Sequence, residues 1–153
     1  MKILYQGSPG AYSHLAALEV YPNAEIISCK TFDECFSKAQ ENEKLKIIIP
    51  ESNKTTGNIG IEYLIFKYRL NIYAEHFQKI EHNLLGLPGT KISNIKNVLS
   101  HAQALSQCSN FIKKNNLIEN VRADTAGSAE LIAKNKKISD GAIASKLSAK
   151  IYK

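Results

Sequence analysis

Hydroxyls, amides and one ammonium gather in four short blocks of this sequence, each between an apolar run and an amphipathic stretch. The first is Gln6-Gly7-Ser8-Pro9-Gly10-Ala11-Tyr12-Ser13. Its glycines let the backbone come close to a ligand, and N–H groups at the start of the following helix attract an anion. Gly7-x-x-Gly10 is neither a G-x-G-x-x-G dinucleotide fingerprint nor a P-loop, so a plain strand-to-helix turn also explains it. The second block is Pro50-Glu51-Ser52-Asn53-Lys54-Thr55-Thr56-Gly57-Asn58, in which seven of nine side chains are polar. Its hydroxyls, amides and Lys54 suit a carboxylate, and a solvated cap is the other explanation. The third, Ser100-His101-Ala102-Gln103 followed by Gln107 and Cys108, has the spacing of a capping box. On a helix starting near residue 101, Gln103 and Gln107 share a face. The fourth, Asp124-Thr125-Ala126-Gly127-Ser128-Ala129, reads as a capped helix start or as a ligand loop. His14, His76 and His82 carry no pattern of their own. No Ser-His-Asp order, paired-carboxylate spacing or His/Cys cluster stands out, so residue chemistry stops at a small-anion pocket with no metal site.

The elements that must hold these blocks follow from periodicity and caps. Strands are predicted over 2–6, 24–28, 46–49, 97–99, 120–123 and 141–144. Helices are predicted over 12–20, 31–40, 59–68, 101–114 and 124–133, with a last one capped by Ser145. Thr31-Phe32-Asp33-Glu34 is a second capping box. Residues 70–77 and 80–87 are β-rich, and Leu87-Pro88-Gly89-Thr90 is a turn. Strands alternating with helices imply an α/β fold with mainly parallel sheets. The β-rich middle interrupts the alternation and divides the chain into two lobes, 1–77 and 78–153. Ligands of such sheets bind beyond the carboxyl ends of the strands, so a cleft between the lobes would collect all four blocks.

Composition narrows the class. A chain of 153 residues is long enough for a real core. No apolar run approaches the length of a membrane span, and the start reads as a strand rather than a leader. A soluble cytoplasmic protein without membrane association is expected. The net charge of +6 comes almost wholly from scattered lysine, with Arg69 and Arg122 the only arginines. That is a solvated surface rather than a nucleic-acid stripe. Cys29, Cys35 and Cys108 have no Cys-x-x-Cys spacing and read as reduced thiols.

In order and spacing, the four blocks resemble the catalytic domain of prephenate dehydratases and arogenate dehydratases. Tyr5 to Ser13 resembles that family's opening, above all in its arogenate-type members. Leu84-Leu85-Gly86-Leu87-Pro88-Gly89, Ser100 through Cys108, Asp124 through Glu130, and Ala142-Ile143-Ala144-Ser145 with Ile151-Tyr152 resemble later family segments. The resemblance implies two α/β lobes around a cleft, like type 2 periplasmic binding proteins. It implies a lyase of phenylalanine biosynthesis that removes carboxylate and hydroxide from a cyclohexadiene, prephenate or arogenate. No cofactor is implied, and a homodimer is expected.

Carried over residue by residue, Asn53, Ser100 and Gln107 match the family's working Asn, Ser and Gln. Gly7, Gly10, Ser13, Lys54, Thr55, Gly57, His101 and Thr125 match substrate-binding positions. The family's Glu-Asn-Ser reads here as Ser52-Asn53-Lys54, which displaces the carboxylate to Glu51. Ala102 replaces the Pro of Ser-His-Pro-Gln. The family's Thr-Arg-Phe motif, with its proton-donating Thr, is expected beyond Lys153, as are a returning strand of the first lobe and any regulatory domain. The 153 residues alone are therefore expected to have little activity. A non-catalytic carboxylate-binding module on the same scaffold is the alternative.

Overall fold

The computed structural model describes residues 1–55 and 57–153; Thr56, within the second polar block, lies outside the described residues. The chain forms two compact units, Met1–Gly7 with Tyr12–Gln78, and Ser8–Ala11 with Lys79–Lys153.

In the first unit, β1 (Lys2–Gln6) is the middle strand of a sheet, with β2 (Glu25–Cys29) and β3 (Leu45–Ile48) parallel on either side. Ile3, Leu4 and Tyr5 are all buried, as a strand covered on both faces requires. The crossovers are α1 (Tyr12–Val20), packed through Ala16 and Ala17, and α2 (Phe32–Glu41), packed through Cys35, Phe36 and Ala39. Thr31 caps α2, accepting from the Glu34 N–H at 3.1 Å. The Glu34 carboxylate accepts from the Lys30 N–H at 2.7 Å, one residue earlier than a capping box predicts. These strands and helices lie within one residue of their predicted bounds.

Two expectations for this unit are corrected. The polar block after Pro50 contains a small hairpin, β4 (Ser52–Asn53) paired antiparallel with β5 (Gly57–Asn58). The hairpin and Gly60, at φ +79°, delay α3 to Glu62–Tyr68 instead of residue 59, because a left-handed residue does not fit inside a right-handed helix. Residues 70–77 form no strand. Ile72, Tyr73 and Phe77 are 66%, 60% and 87% exposed, so neither face of the stretch is buried to fix a ladder. Side chains fasten the stretch instead. The Tyr73 and Tyr21 hydroxyls meet at 2.7 Å, Lys46 Nζ lies 4.4 Å from the Tyr73 ring centre, and His76 lies 3.3 Å from Glu19.

The second unit holds β6 (Asn83–Leu85), β7 (Asn97–Ser100), β8 (Ile118–Val121) and β9 (Asp140–Ala144), in the order β6-β9-β7-β8. β7 is parallel to β8 and β9, and β6 is antiparallel to β9. Only residues 83–85 of the β-rich 80–87 are strand, since Pro88 and Gly89 turn the chain. There the Thr90 N–H donates to the Leu87 carbonyl with Gly89 at φ +81°, as in a type II turn. Strand alternation sorts the core. Val98 and Ile143 pack with Leu105 of α4 (Ala102–Gln107) and Ile112 of α5 (Ser109–Lys114). Leu99, Ala142 and Ala144 pack with Ala129 and Ile132 of α6 (Thr125–Asn135). The single helix predicted to residue 114 breaks at Cys108, whose backbone sits at φ −99°, ψ 9°. Asp124 caps α6, and Ser145 caps α7 (Lys146–Ile151).

Among the described residues four of the six strand pairings are parallel, so the fold is α/β with mainly parallel sheets. All three cysteines are free thiols, and burial raises Cys35 and Cys108 above the ordinary thiol range. Among the described residues no helix is long and apolar enough to cross a membrane.

Candidate functional site

Ser100 ends β7, and His101 and Thr125 lie beyond the carboxyl ends of β7 and β8, so the parallel register brings all three to one edge of the second unit. Ser100 is fully buried, and its Oγ donates to the Ile143 carbonyl at 2.6 Å. Its own carbonyl accepts from the Arg122 N–H at 2.8 Å. Ser100 is therefore not the helix cap that its spacing predicts. The strand runs one residue further, and the cap passes to His101, whose Nδ1 accepts from the Gln103 N–H at 3.3 Å. In the neutral ring the proton then sits on Nε2. His101 is exposed and Thr125, in the first turn of α6, is half-buried.

Residues 8–11 of the first block pack on this same edge. The Gly10 carbonyl accepts from Ser145 Oγ at 2.6 Å and from Ser148 Oγ at 3.1 Å, and both serines are buried. Gly10 takes φ +96°, and a Cβ there would stand 2.5 Å from Ser148 Oγ. Both the backbone and the space demand glycine. Ser8 Oγ donates to Asp124 Oδ2 at 3.4 Å, while Asp124 Oδ1 caps α6 through the Gly127 N–H. The capping pattern marks Ser145 in the sequence. Nothing there ties Ser145 or Ser148 to a glycine 135 or 138 residues away.

Gln107 is not at the strand edge. It ends α4, about 8 Å along the helix axis from Ala102. Its Oε1 accepts from His82 Nε2 at 2.7 Å. Sequence reasoning passed over His82, because its partner lies 25 residues on.

In the first unit, Gly7 follows β1 at φ +119°. Its N–H donates to the Cys29 carbonyl at 3.0 Å, and its carbonyl accepts from Ser28 Oγ at 2.6 Å. Tyr5 and His14 stack with ring centres 4.9 Å apart. Burial raises the Tyr5 phenol, a Ser28 hydrogen bond opposing it, and burial lowers the His14 imidazole. Both are neutral at pH 7, so neither offers an anion a charge. Ser13 lies in the first turn of α1. Asn53, Lys54, Thr55 and Gly57 share the hairpin. Asn53 is half-buried and its Oδ1 accepts from the Thr55 N–H at 2.9 Å, while Lys54, Thr55, Gly57 and Glu51 are exposed. Asn58 donates to the Glu62 carboxylate, which lowers that carboxyl below its usual range.

Two grooves lie elsewhere. One of about 620 Å³ runs along α3 past Phe66 and Arg69, and one of about 310 Å³ lies between Leu84–Pro88 and Tyr152. Neither is lined by a predicted site residue. Among the described residues no group of three His, Cys, Asp or Glu side chains could hold a metal ion.

A family model described as prephenate dehydratase matches residues 3–153. The Arabidopsis thaliana arogenate dehydratase/prephenate dehydratase 1, chloroplastic, is 43% identical over 155 residues, covering 99% of this chain and 39% of that relative. This chain thus spans well under half the length of the curated plant relatives it matches. A solved structure described as GqqA, a novel type of quorum quenching acylase, is 30% identical with a TM-score of 0.88, over 99% of this chain and 56% of that one. The prephenate dehydratase of Staphylococcus aureus subsp. aureus Mu50 gives a TM-score of 0.76 at 22% identity, over 99% of this chain and 57% of that one. The fold is accordingly the periplasmic-binding-protein-like fold of those dehydratase structures.

Proposed function

This chain belongs to the prephenate dehydratase family, and we propose that it supplies the substrate-orienting part of a prephenate or arogenate dehydratase in phenylalanine biosynthesis. The observation that carries this reading is the family match over residues 3–153. In the reaction the bond to the ring carboxylate breaks and carbon dioxide leaves. Its electron pair enters the ring, and the ring hydroxyl departs as water once protonated. Aromatisation drives the change, so the protein's task is to hold the anion, orient the leaving hydroxyl and deliver one proton. The chemistry asks for no metal or organic cofactor.

Asn53 and Lys54 are proposed to meet substrate oxygen atoms, a donor amide and a cation suiting carboxylate. Gln107 is proposed to orient substrate. Ser100, its hydroxyl committed to Ile143, is proposed as a positioning residue that anchors the strand end presenting His101. Gly7, Gly10, Ser13, Thr55, Gly57 and Thr125 complete the proposed set. The cytoplasm and a homodimer remain the proposed compartment and assembly; the plant relative named above is chloroplastic.

The test is steady-state turnover by this chain extended through a Thr-Arg-Phe segment. Formation of phenylpyruvate from prephenate, or phenylalanine from arogenate, is expected. Gln107→Ala should lower kcat at least about tenfold, the scale on which orientation acts. Binding of either substrate without turnover would turn the reading to a carboxylate-binding module. Hydrolysis of an acyl amide by the same protein would favour the acylase likeness, the stronger of the two structural matches quoted.

A further inference from the structure

We propose that the outer face of α3 is a self-complementary surface through which two copies of this chain pair about a two-fold axis. Such a pair gives the proposed homodimer a face. It stands independently of the dehydratase reading, since none of the residues proposed to meet substrate lines this surface. The inner side of α3 is already covered. Tyr68 is buried with its ring 6.0 Å from that of Phe36, and Lys67 Nζ lies 2.7 Å from Asp33 on α2. The outer side carries Glu62, Ile65, Phe66 and the C-cap Arg69, which at i, i+3, i+4 and i+7 share one stripe. All four line the groove of about 620 Å³. Phe66 is 86% exposed and the adjacent Tyr63 67%. A single exposed aromatic needs no explanation, but this ring projects beside an open groove with a second aromatic next to it.

Charge says which partner fits. Glu62 stands at one end of the stripe and Arg69 at the other, about 10 Å apart along the helix axis. An Asn58 hydrogen bond holds the Glu62 carboxyl below its usual range, so it is ionised at pH 7. Each charge suits its own end of the helix dipole, yet the dipole leaves Phe66 uncovered. A second α3 laid antiparallel accounts for both. The two-fold axis then passes between Ile65 and Phe66. Glu62 of each copy faces Arg69 of the other, and each Phe66 ring enters the other copy's groove beside Ile65. Contact of this mutual kind closes at two copies. An anionic lipid surface would want cations at both ends of the stripe, and Glu62 opposes it. Covering Phe66, Tyr63, Ile65 and Arg69 on both copies buries roughly 1,000 Å² in total, the size of a weak, reversible interface. The aromatic rings supply the affinity, and the charges fix the antiparallel direction.

Sedimentation equilibrium of the 153-residue chain should show a monomer–dimer equilibrium with a dissociation constant on the order of 10–100 µM. Phe66→Ser should raise that constant at least about tenfold. Phe77→Ser removes an equally exposed aromatic outside the groove and should leave it unchanged. Glu62→Arg and Arg69→Glu should each weaken pairing, because like charges then meet at both ends of the stripe. Mixed in equal amounts the two variants should pair with each other, since unlike charges face again at both ends of the mixed dimer. A chain that stays monomeric at about 0.5 mM would overturn the proposal. So would two charge variants that pair no better mixed than alone. A dimer indifferent to Phe66→Ser would overturn this face while leaving the homodimer itself standing. Binding of the monomer to phosphatidylcholine–phosphatidylglycerol vesicles, lost in Phe66→Ser, would assign the face to lipid instead.

Discussion

Asn53 in the first unit is held by a bond to a residue two positions away, whereas Ser100 in the second bonds to a strand 43 residues on. The contrast extends to both surroundings. Among the described residues the fully buried polar side chains are Ser100, Ser128, Ser145 and Ser148, all in the second unit. Ser100 joins β7 to β9, Ser145 and Ser148 pin residues 8–11, and Ser128 donates to the Asp124 carbonyl at 2.7 Å. In the first unit the hairpin that carries Asn53 and Lys54 is largely exposed. Polar groups in the second unit are thus structural struts that also border the proposed site. In the hairpin, the Asn53 bond is local and exposed, and Asn58 reaches only as far as Gly60 and Glu62. Buried, satisfied networks cost stability when broken, and exposed local bonds cost little.

The largest effect on stability should come from Gly10→Ala. Left-handed strain at φ +96° and a Cβ forced to 2.5 Å from Ser148 Oγ act together, for a loss of about 3 kcal/mol. Urea unfolding measures it. Ser148→Ala should not rescue the variant, because Ser148 Cα also stands 2.8 Å from that Cβ. A loss under about 1 kcal/mol would mean that residues 8–11 yield easily and that the strut reading of this corner is wrong. Next comes Ser100→Ala, which removes one buried hydroxyl donor from the Ile143 carbonyl. About 1 kcal/mol of stability should go, with kcat falling less than in Gln107→Ala. A larger loss of rate than in Gln107→Ala, at unchanged stability, would instead place Ser100 against the substrate.

What the sequence made legible was local. The apolar run Ile3-Leu4-Tyr5, the Thr31, Asp124 and Ser145 caps and the Leu87–Thr90 turn are all set by neighbours within four residues, and each is where it was expected. Ser100 went astray because a capping box and a strand end can share the same four letters. Burial against Ile143, invisible locally, decided for the strand. Residues 70–77 went astray because β-propensity reports fit to a half-buried surface, and that stretch is exposed. The site was legible as four blocks, since hydroxyls and glycines beside apolar runs are a local pattern. The partnerships of Gly10 with Ser145 and Ser148, and of Gln107 with His82, span 25 residues or more and leave no periodicity to read.

The smallest expected stability effect is the sharpest test of the comparison. Asn53→Ala removes an Oδ1 that accepts from the Thr55 N–H, in a hairpin whose neighbouring residues are exposed. Water can replace that bond, so stability should change by no more than about 0.5 kcal/mol. If Asn53 touches substrate, kcat should nonetheless fall at least about tenfold in the extended protein. Measuring the urea midpoint and kcat on one preparation separates the two quantities. A joint fall would show that the hairpin is braced as the second unit is, and that local bonding misjudged it. Unchanged rate and unchanged stability would remove Asn53 from the proposed site and leave the second unit to bind substrate through Gln107. Only a large loss of rate at constant stability keeps both halves of the contrast, with function concentrated where the fold asks least of the side chain.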